Sequence, residues 1–146
     1  MSYEVEKEGA VASDDQSRID FEILHGFLTE TYWARGIPRS IVEKSVRNSL
    51  SMGLYVDNQM IGFARAVTDY TTFAYLEDVF VLDNWRGKGL GVWIAQSLIE
   101  HPALQSIKLW MLGTKDAHGV YEKLGFGPLE DPSRIMIIND PDAYKR

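Results

Sequence analysis

The feature that most constrains the fold is an apolar segment that leads through a glycine-rich turn into an amphipathic helix. Residues 73–82 are mostly apolar on both faces, which predicts a central strand. The turn Arg86-Gly87-Lys88-Gly89-Leu90-Gly91 follows, and apolar residues then recur at helical spacing through Ile99. A helix N-terminus offers free backbone N–H groups and a partial positive charge. The order of these elements therefore predicts a turn that binds an anion such as phosphate.

The spacing within the turn excludes two common phosphate-binding patterns. The P-loop requires Ser or Thr directly after Gly-Lys, whereas Gly89 follows Lys88 here. The dinucleotide fingerprint requires G-x-G-x-x-G, whereas Gly87, Gly89 and Gly91 are spaced G-x-G-x-G. The turn therefore belongs to neither class, and Arg86 and Lys88 give it positive charge.

Strands and helices interleave along the rest of the chain. Hydrophobic spacing predicts helices at about residues 18–30, 38–50, 90–101 and 116–124. Alternation and apolar runs predict strands at about residues 3–8, 53–56, 60–68, 73–82, 106–112, 126–129 and 134–138. No repeat, linker or low-complexity segment interrupts this order. We therefore expect one mixed α/β (α+β) domain over residues 1–146.

Charge and composition exclude several classes of function. The net charge of −6 argues against non-specific nucleic-acid binding and is compatible with a cationic acceptor. The chain has no cysteine, which excludes disulfides, thiolate metal sites and a cysteine nucleophile and fits a cytoplasmic location. Its acidic, mixed N-terminus is unlike a signal peptide, and no apolar run is long enough for a membrane span. The three histidines lack metal-ligand spacing, so we expect no metal.

Two sequence blocks resemble the GNAT superfamily of acyl-CoA-dependent N-acyltransferases. Arg86, Gly89 and Gly91 occupy the three fixed positions of its Q/R-x-x-G-x-G/A signature. Residues 117–126 are similar to its A-x-x-L-Y-E-K-x-G-F block, with Val120 at the usual leucine position. The order of elements extends the resemblance over nearly the whole chain. It implies a central mixed, mostly antiparallel sheet of about seven strands, flanked by about four helices.

The resemblance also implies acetyl-CoA as the co-substrate of an N-acetyltransferase. The pantetheine arm would bond to main-chain groups of Phe80 and Val81. The diphosphate would bind the amides of the turn, which comprises Arg86, Gly87, Lys88, Gly89, Leu90 and Gly91. Thr114 lies where many relatives have an asparagine that contacts the cofactor, and its hydroxyl could replace part of that contact.

The resemblance implies direct attack of an amine on the thioester, which needs a base and an acid. Glu77 and Asp78 are the candidate bases, because only a neutral amine is nucleophilic. Adjacent strand residues point to opposite faces unless a bulge intervenes, and we favour Glu77. The structural alternative for either carboxylate is pairing with a base such as Arg65. Tyr121 matches the tyrosine that protonates the departing thiolate, and packing of its ring is the alternative.

Tyr32 and Trp33 lie between the first two predicted helices, where this superfamily builds its acceptor pocket. An aromatic pair there could bind a cationic or apolar amine, although packing over the sheet is an equal alternative. Asp69 could line the same pocket. We expect a small-molecule or peptide amine as acceptor, no nucleic acid or membrane partner, and a homodimer is possible. The alternative function is a non-catalytic acyl-CoA sensor or partner-binding module on the same fold.

Overall fold

The computed structural model describes residues 2–146 and contains six strands and four α-helices within them. The strands are β1 (Glu4–Lys7), β2 (Ala10–Ser13), β3 (Leu50–Val56), β4 (Gln59–Thr68), β5 (Phe73–Val81) and β6 (Leu109–Met111). The helices are α1 (Phe21–Leu28), α2 (Arg39–Arg47), α3 (Leu90–Ile99) and α4 (His118–Glu122). The predicted mixed fold is confirmed, with six strands in place of about seven.

The six strands form one sheet in chain order, from β1 at one edge to β6 at the other. Neighbouring strands are antiparallel except β5 and β6, which are parallel and are connected through α3. The single strand predicted at residues 3–8 is instead the first half of a hairpin. Glu8 and Gly9 turn it, with φ angles of 52° and 86°, and left-handed backbone at both positions is what a tight hairpin turn requires.

Two apolar clusters cover the two faces of the sheet. One cluster joins α3 to the sheet through residues such as Ile94, Leu98 and Val81. The other joins α1 and α2 to the opposite face and includes Phe63 and Phe80. Phe80 and its neighbour Val81 thus point into different clusters, which explains why the β5 sequence is apolar at consecutive positions. β5 is therefore held from both sides, with its ends fixed relative to the helices.

The two strands predicted at residues 126–129 and 134–138 are not strands in the structure. Residues 127–146 lie mostly at the surface and contain only the 3₁₀ turns Pro132–Arg134 and Ala143–Lys145. A strand needs a neighbour for its backbone hydrogen bonds, and Pro128 and Pro132 have no N–H to contribute. Residues 135–138 are apolar and three of them are β-branched, but no strand within residues 2–146 pairs with this segment.

No helix within residues 2–146 has the length and apolar character needed to cross a bilayer.

Substitution of Gly62 on β4 tests how closely the backbones of β4 and β5 approach each other. A Cβ at this position would lie 2.8 Å from the backbone oxygen of Phe80. We expect Gly62→Ala to lower the free energy of unfolding by about 1–3 kcal/mol, because backbone must move to make room. Urea denaturation measures the change.

Gly26→Ala in α1 is the matched control, since a Cβ there meets nothing within 4 Å. In a helix interior alanine is favoured over glycine, so this variant should gain about 0.5–1 kcal/mol. Equal denaturation midpoints for Gly62→Ala and the wild type would contradict the close approach.

Candidate functional site

An irregularity in the pairing of β4 with β5 shapes the centre of the site. Phe63 pairs with Phe80 and Arg65 pairs with Glu77, so β5 has one residue more than β4 between these pairs. Asp78 lies within this bulge and has a φ of 56°, in the left-handed region. A non-glycine residue held there costs about 1–3 kcal/mol and persists only where surrounding contacts fix it. The bulge is therefore held in place by interactions of Asp78 itself.

Arg65 binds both adjacent carboxylates of β5. Its Nε donates to Asp78 Oδ2 at 3.0 Å, and its Nη2 donates to Glu77 Oε2 at 3.0 Å. Its Nη1 donates to Ser49 Oγ at 3.0 Å. In a regular strand residues 77 and 78 would point to opposite faces, but the bulge directs both towards one guanidinium. Pairing with Arg65, the structural alternative from the sequence, is thus observed for both carboxylates.

Asp78 and Glu77 nevertheless differ in their surroundings. Asp78 is 8% exposed, and its second oxygen accepts from Trp33 Nε1 at 2.8 Å. The Glu77 side chain is 38% exposed, and its only hydrogen bond to another residue within 2–146 is the one from Arg65. Burial raises the pKa of Glu77 against the opposing effect of Arg65. Glu77 is therefore accessible and more basic than an ordinary glutamate, whereas Asp78 is fully engaged in holding its neighbours.

Tyr32 and Trp33 lie beside this pair, in the segment after α1. Their rings meet edge to face with centroids 5.1 Å apart. The Tyr32 hydroxyl accepts from the Lys115 backbone N–H at 3.1 Å, and the Lys115 ammonium lies 5.5 Å from the Tyr32 ring centroid. These contacts connect the segment after α1 to the segment before α4. The structure therefore brings Tyr32, Trp33, Glu77 and the elements on either side of them to one region.

Tyr121 on α4 lies near Tyr32. Its ring packs edge to face on Phe126 at 6.1 Å and contacts the cluster around α3. Burial, with a smaller effect of Tyr32, raises the pKa of Tyr121, so the phenol stays protonated at neutral pH. Within residues 2–146 its hydroxyl makes no hydrogen bond to another residue. The Tyr121 ring is therefore packed, as the structural alternative predicted, and this packing leaves the phenol proton available for donation.

Asp69 and Thr114 make their observed hydrogen bonds within their own loops. The Asp69 carboxylate accepts from the backbone N–H groups of residues 71–73 and from the Thr72 hydroxyl. These bonds hold the pKa of Asp69 well below its usual range. Thr114 Oγ1 accepts from the Ala117 N–H at 3.1 Å, next to α4. Their contacts with acceptor and cofactor stay predictions, and the bonds seen here give both residues a turn-forming role.

β5 and β6 diverge after three paired positions. The register joins Phe73 to Leu109 and ends where Tyr75 meets Met111. Residues 76–81 of β5 have no strand on that side within the described part of the chain. This side of residues 76–81, which no strand of the described chain covers, is called the gap; it passes Glu77 and ends at the residues before the glycine turn. Phe80 and Val81, the predicted main-chain contacts for pantetheine, lie in this stretch.

The glycine turn has the geometry expected for an anion site. Gly87 and Gly89 have φ angles of 81° and 76°, and a Cβ at either would meet no protein atom within 4 Å. Gly89 is the N-cap of α3, and no side chain caps the helix there. The first N–H groups of α3, including those of Leu90 and Gly91, therefore face open space with the helix dipole behind them. These features fit a diphosphate group.

The two cations of the turn have different surroundings. Arg86 folds back, with Nε donating to the Val81 carbonyl at 3.0 Å and Nη1 lying 3.0 Å from an Asp83 carboxylate oxygen. Lys88 places its ammonium 5.1 Å from the ring centroid of Trp85. Arg86 thus fastens the turn to the end of β5, while Lys88 is the cation that can swing towards a phosphate.

Tyr144 is a residue near the bulge that no sequence pattern singles out. It belongs to the C-terminal 3₁₀ turn and is 37% exposed. Burial and the carboxylates of Glu77 and Asp78 raise the pKa of Tyr144, while Arg65 opposes them. The phenol is therefore within electrostatic range of the charges at the bulge. No motif or periodicity signals this residue, because its place depends on how the C-terminal segment folds back.

The histidines do not form a site within the described residues. His101 is buried, with Nε2 2.7 Å from Asp14 Oδ2 and Nδ1 accepting from the Ala103 N–H at 3.0 Å. It holds the end of α3 to the segment after β2. No cluster of three or more metal-ligating side chains is present in residues 2–146.

Arg65→Gln tests whether the bulge depends on this arginine. Removal of the guanidinium leaves the Asp78 carboxylate buried without a cation, so we expect the free energy of unfolding to fall by about 3–5 kcal/mol. Arg39→Gln is the control, because the Arg39–Glu43 pair is exposed, at 54% and 35%. Its loss should cost at most about 1 kcal/mol. Similar urea midpoints for the two variants would show that Arg65 does not support the bulge.

Comparison with known families gives one consistent assignment. The profile of the Acetyltransferase (GNAT) family matches residues 15–126, which is well over half of the chain. A Gibberella zeae protein named "Putative acetyltransferase FG08082" is 27% identical over 136 residues, covering 77% of this chain and 76% of its own length.

Solved structures agree with this assignment. A Xanthomonas campestris protein, described as "a putative acetyltransferase belonging to the gnat family", is 38% identical with a TM-score of 0.89, covering 94% of this chain and 97% of its own. A Clostridium acetobutylicum protein, described as a "predicted acetyltransferase with acetyl-CoA", shares the fold at 15% identity and a TM-score of 0.62, covering 83% of this chain and 92% of its own. With its glycine turn, its divergent strands and these relatives, the chain belongs to the GNAT acetyltransferase family.

Proposed function

We propose that this chain is an N-acetyltransferase that transfers the acetyl group of acetyl-CoA directly to a primary amine through a tetrahedral intermediate. The observation that carries the proposal is the gap between β5 and β6. It begins beside an accessible carboxylate, Glu77, and leads towards the uncapped N-terminus of α3. One ligand with a diphosphate at one end and a reactive group at the other fits such a path.

Acetyl-CoA binding is supported by groups along that path. The amides between Arg86 and Gly91 would hold the diphosphate, and main-chain groups of Phe80 and Val81 would hold the pantetheine arm. The buried side chains of Phe80 and Val81 fix this backbone in place. The Clostridium acetobutylicum neighbour is described with acetyl-CoA bound, which agrees with this use of the fold. When bound, acetyl-CoA supplies the activated thioester.

Glu77 is the proposed general base. An amine must lose its proton before its nitrogen can attack the thioester carbon, and a carboxylate of raised pKa is the better acceptor for that proton. The Glu77 side chain is partly exposed to solvent, whereas Asp78 is occupied by Arg65 and Trp33. Asp78 therefore positions the bulge and, through it, Glu77. The amine proton passes to Glu77 directly or through one water.

Tyr121 is the proposed general acid. As the nitrogen–carbon bond forms and the carbon–sulfur bond breaks, the leaving thiolate takes the phenol proton of Tyr121. The raised pKa of Tyr121 keeps the phenol in its protonated form at neutral pH, so the proton is present when the thiolate departs. The free hydroxyl and the packed ring together give a donor of fixed position.

The acceptor site is proposed to lie between Tyr32, Trp33 and Tyr144, next to Glu77. Aromatic faces beside a carboxylate attract an ammonium group and then accept the neutral amine after proton loss. Small-molecule and peptide amines both fit this chemistry. Asp69 stays a candidate on the rim, although its carboxylate is engaged by its own loop.

Wild type and Tyr121→Phe together test the proposed function. Calorimetry should detect acetyl-CoA binding by both proteins, because the phenol is not part of the path that holds the cofactor. A thiol-release assay against a panel of primary amines should give turnover by the wild type. We expect Tyr121→Phe to reduce kcat about 100-fold, the usual contribution of a general acid.

The results of these binding and turnover assays distinguish an N-acetyltransferase from a non-catalytic acyl-CoA-binding protein. Absence of acetyl-CoA binding by the wild type would overturn the proposal as a whole. Binding without turnover on any amine would instead favour a non-catalytic acyl-CoA sensor. Unchanged kcat in Tyr121→Phe would remove Tyr121 from the mechanism while leaving the activity in place.

Glu77→Gln tests the base through the pH dependence of kcat/KM. The carboxylate is active when deprotonated, so activity should rise with pH through its pKa and fall on the acid side. Because burial raises that pKa, the acid limb should lie above the ordinary value of 4.5. In Glu77→Gln this limb should disappear, with a rate loss of about 10²–10⁴.

Asp78→Asn is the matched comparison on the neighbouring carboxylate. It should lower the free energy of unfolding, because Asp78 pairs with Arg65 in a buried position, and it should keep the acid limb. Loss of the limb in Asp78→Asn and its retention in Glu77→Gln would assign the base to Asp78.

A further inference from the structure

A short segment of this acidic chain is strongly basic. Arg35, Arg39, Lys44 and Arg47 lie close together in the sequence, and Glu43 is the only carboxylate among them. The segment therefore has a net positive charge, whereas the net charge of the whole chain is −6. All four cationic side chains are exposed, three on α2 and one just before it. We call these four side chains the basic strip.

Most charges of the basic strip have no ionic partner within residues 2–146. Arg39 Nε lies 3.3 Å from Glu43 Oε2 in an exposed pair. Arg35, Lys44 and Arg47 make no ion pair with any carboxylate of the described chain. The strip therefore presents uncompensated positive charge to solvent.

Helix stability does not account for the charges at the start of α2. Positive charge stabilises the C-terminal end of a helix, where Lys44 and Arg47 lie, and is unfavourable at the N-terminal end. Arg39 is the first residue of α2, and Arg35 precedes it. Arg39 also lies N-terminal to Glu43, which is the less favourable order for a pair four residues apart. Such departures from local preference are typical of functional surfaces.

The residues that flank the basic strip both bind the Arg65–Asp78 pair. Trp33 Nε1 donates to Asp78 Oδ1 at 2.8 Å, and Ser49 Oγ accepts from Arg65 Nη1 at 3.0 Å. Each flanking residue lies two positions from an end of the strip, which is at most about 7 Å along the backbone. The strip therefore starts and ends near the carboxylates of the bulge.

We propose that the acceptor is an acidic peptide, whose primary amine lies beside Glu77 while carboxylates of its following residues bind the basic strip. This inference rests on the proposed function and names the class of acceptor. The carboxylate of Glu77 attracts the ammonium form of the amine, and the strip attracts the acidic side chains. Opposite charges at two places fix the direction in which the peptide lies.

The length of the basic strip favours a peptide over a single amino acid. α2 spans Arg39–Arg47 and is about 13 Å long at the helical rise per residue. An extended peptide covers that length with about four residues. A small molecule with one carboxylate can contact only part of the strip. We therefore expect the acidic side chains within about the first five residues of the acceptor.

Calorimetry with three synthetic peptides tests the inference without acetyl transfer. The peptides share their length and N-terminal residue, and their interior residues are acidic, amide-bearing or basic. With CoA present, the wild type should bind the acidic peptide about tenfold more tightly than the amide-bearing one, as expected for two exposed ion pairs. This preference should decrease as the salt concentration rises, because salt screens exposed charges.

Charge reversal at each end of the strip identifies the surface that gives the preference. Arg35→Glu and Arg47→Glu should each lose most of the preference for the acidic peptide and keep their affinity for the amide-bearing one. Lys7→Glu is the matched control, because it changes the net charge equally on β1, at the far edge of the sheet, and should keep the preference. Equal binding of all three peptides by the wild type, or a preference retained in both strip variants, would show that the strip does not select the acceptor.

Thiol release with the same peptides separates this inference from the proposed function. The strip variants should raise KM for the acidic peptide about tenfold and leave kcat unchanged, because the strip does not contact the reacting amine. Strip-dependent binding of acidic peptides without turnover would support the docking surface and contradict the proposed function. Turnover of the amide-bearing or basic peptide in preference to the acidic one would instead reject the acidic acceptor and keep the acetyltransferase.

Discussion

The ion pairs of Arg65 with Asp78 and Glu77 are the interactions on which the site depends. They hold β5 in a bulge with Asp78 in left-handed backbone, and Trp33 completes the cluster from the segment after α1. A buried guanidinium between two carboxylates offsets the cost of taking these charges out of water. The same geometry leaves Glu77 at the border of the gap, accessible and more basic than usual. The hydrogen bonds of Arg65 therefore both hold the backbone of the bulge and position the candidate base.

β5 connects this cluster to the glycine turn. Its side chains enter the clusters on both faces of the sheet, so its position is fixed independently of β6. β6 can then diverge after Tyr75 without loosening the sheet. Arg86 ties the turn back to Val81, and α3 begins with free N–H groups. The gap, the candidate base and the proposed anion site thus follow from a single strand that is anchored by its neighbours and left open at one edge.

Predictions from the sequence succeeded where a short sequence pattern depends only on residues close to it in the chain. Gly87 and Gly89 adopt the left-handed backbone that their place in the turn required, and α3 starts where the apolar spacing begins. The predictions failed where a strand needed a neighbouring strand from elsewhere in the chain. Residues 126–129 and 134–138 have strand-like patterns but no neighbour within the described chain. The place of Asp69 on the acceptor pocket stays a prediction, and its carboxylate accepts hydrogen bonds from its own loop. Tyr144 carries no signal at all, because a distant fold-back brings it to the site.

The sequence by itself determined the family, the mixed fold, the glycine turn and the candidate acid and base, because each rests on short-range spacing. Only the tertiary structure decided how Glu77 and Asp78 differ in exposure and in their partners. Their side chains would diverge in a regular strand, and it is the bulge that brings both to Arg65, which lies on a different strand. Long-range pairing also decided that, within residues 2–146, β6 has a strand on one side only and residues 135–138 pair with no strand. Contacts between residues far apart in the chain leave no periodic trace in the sequence, so these features appear only when the sheet is assembled.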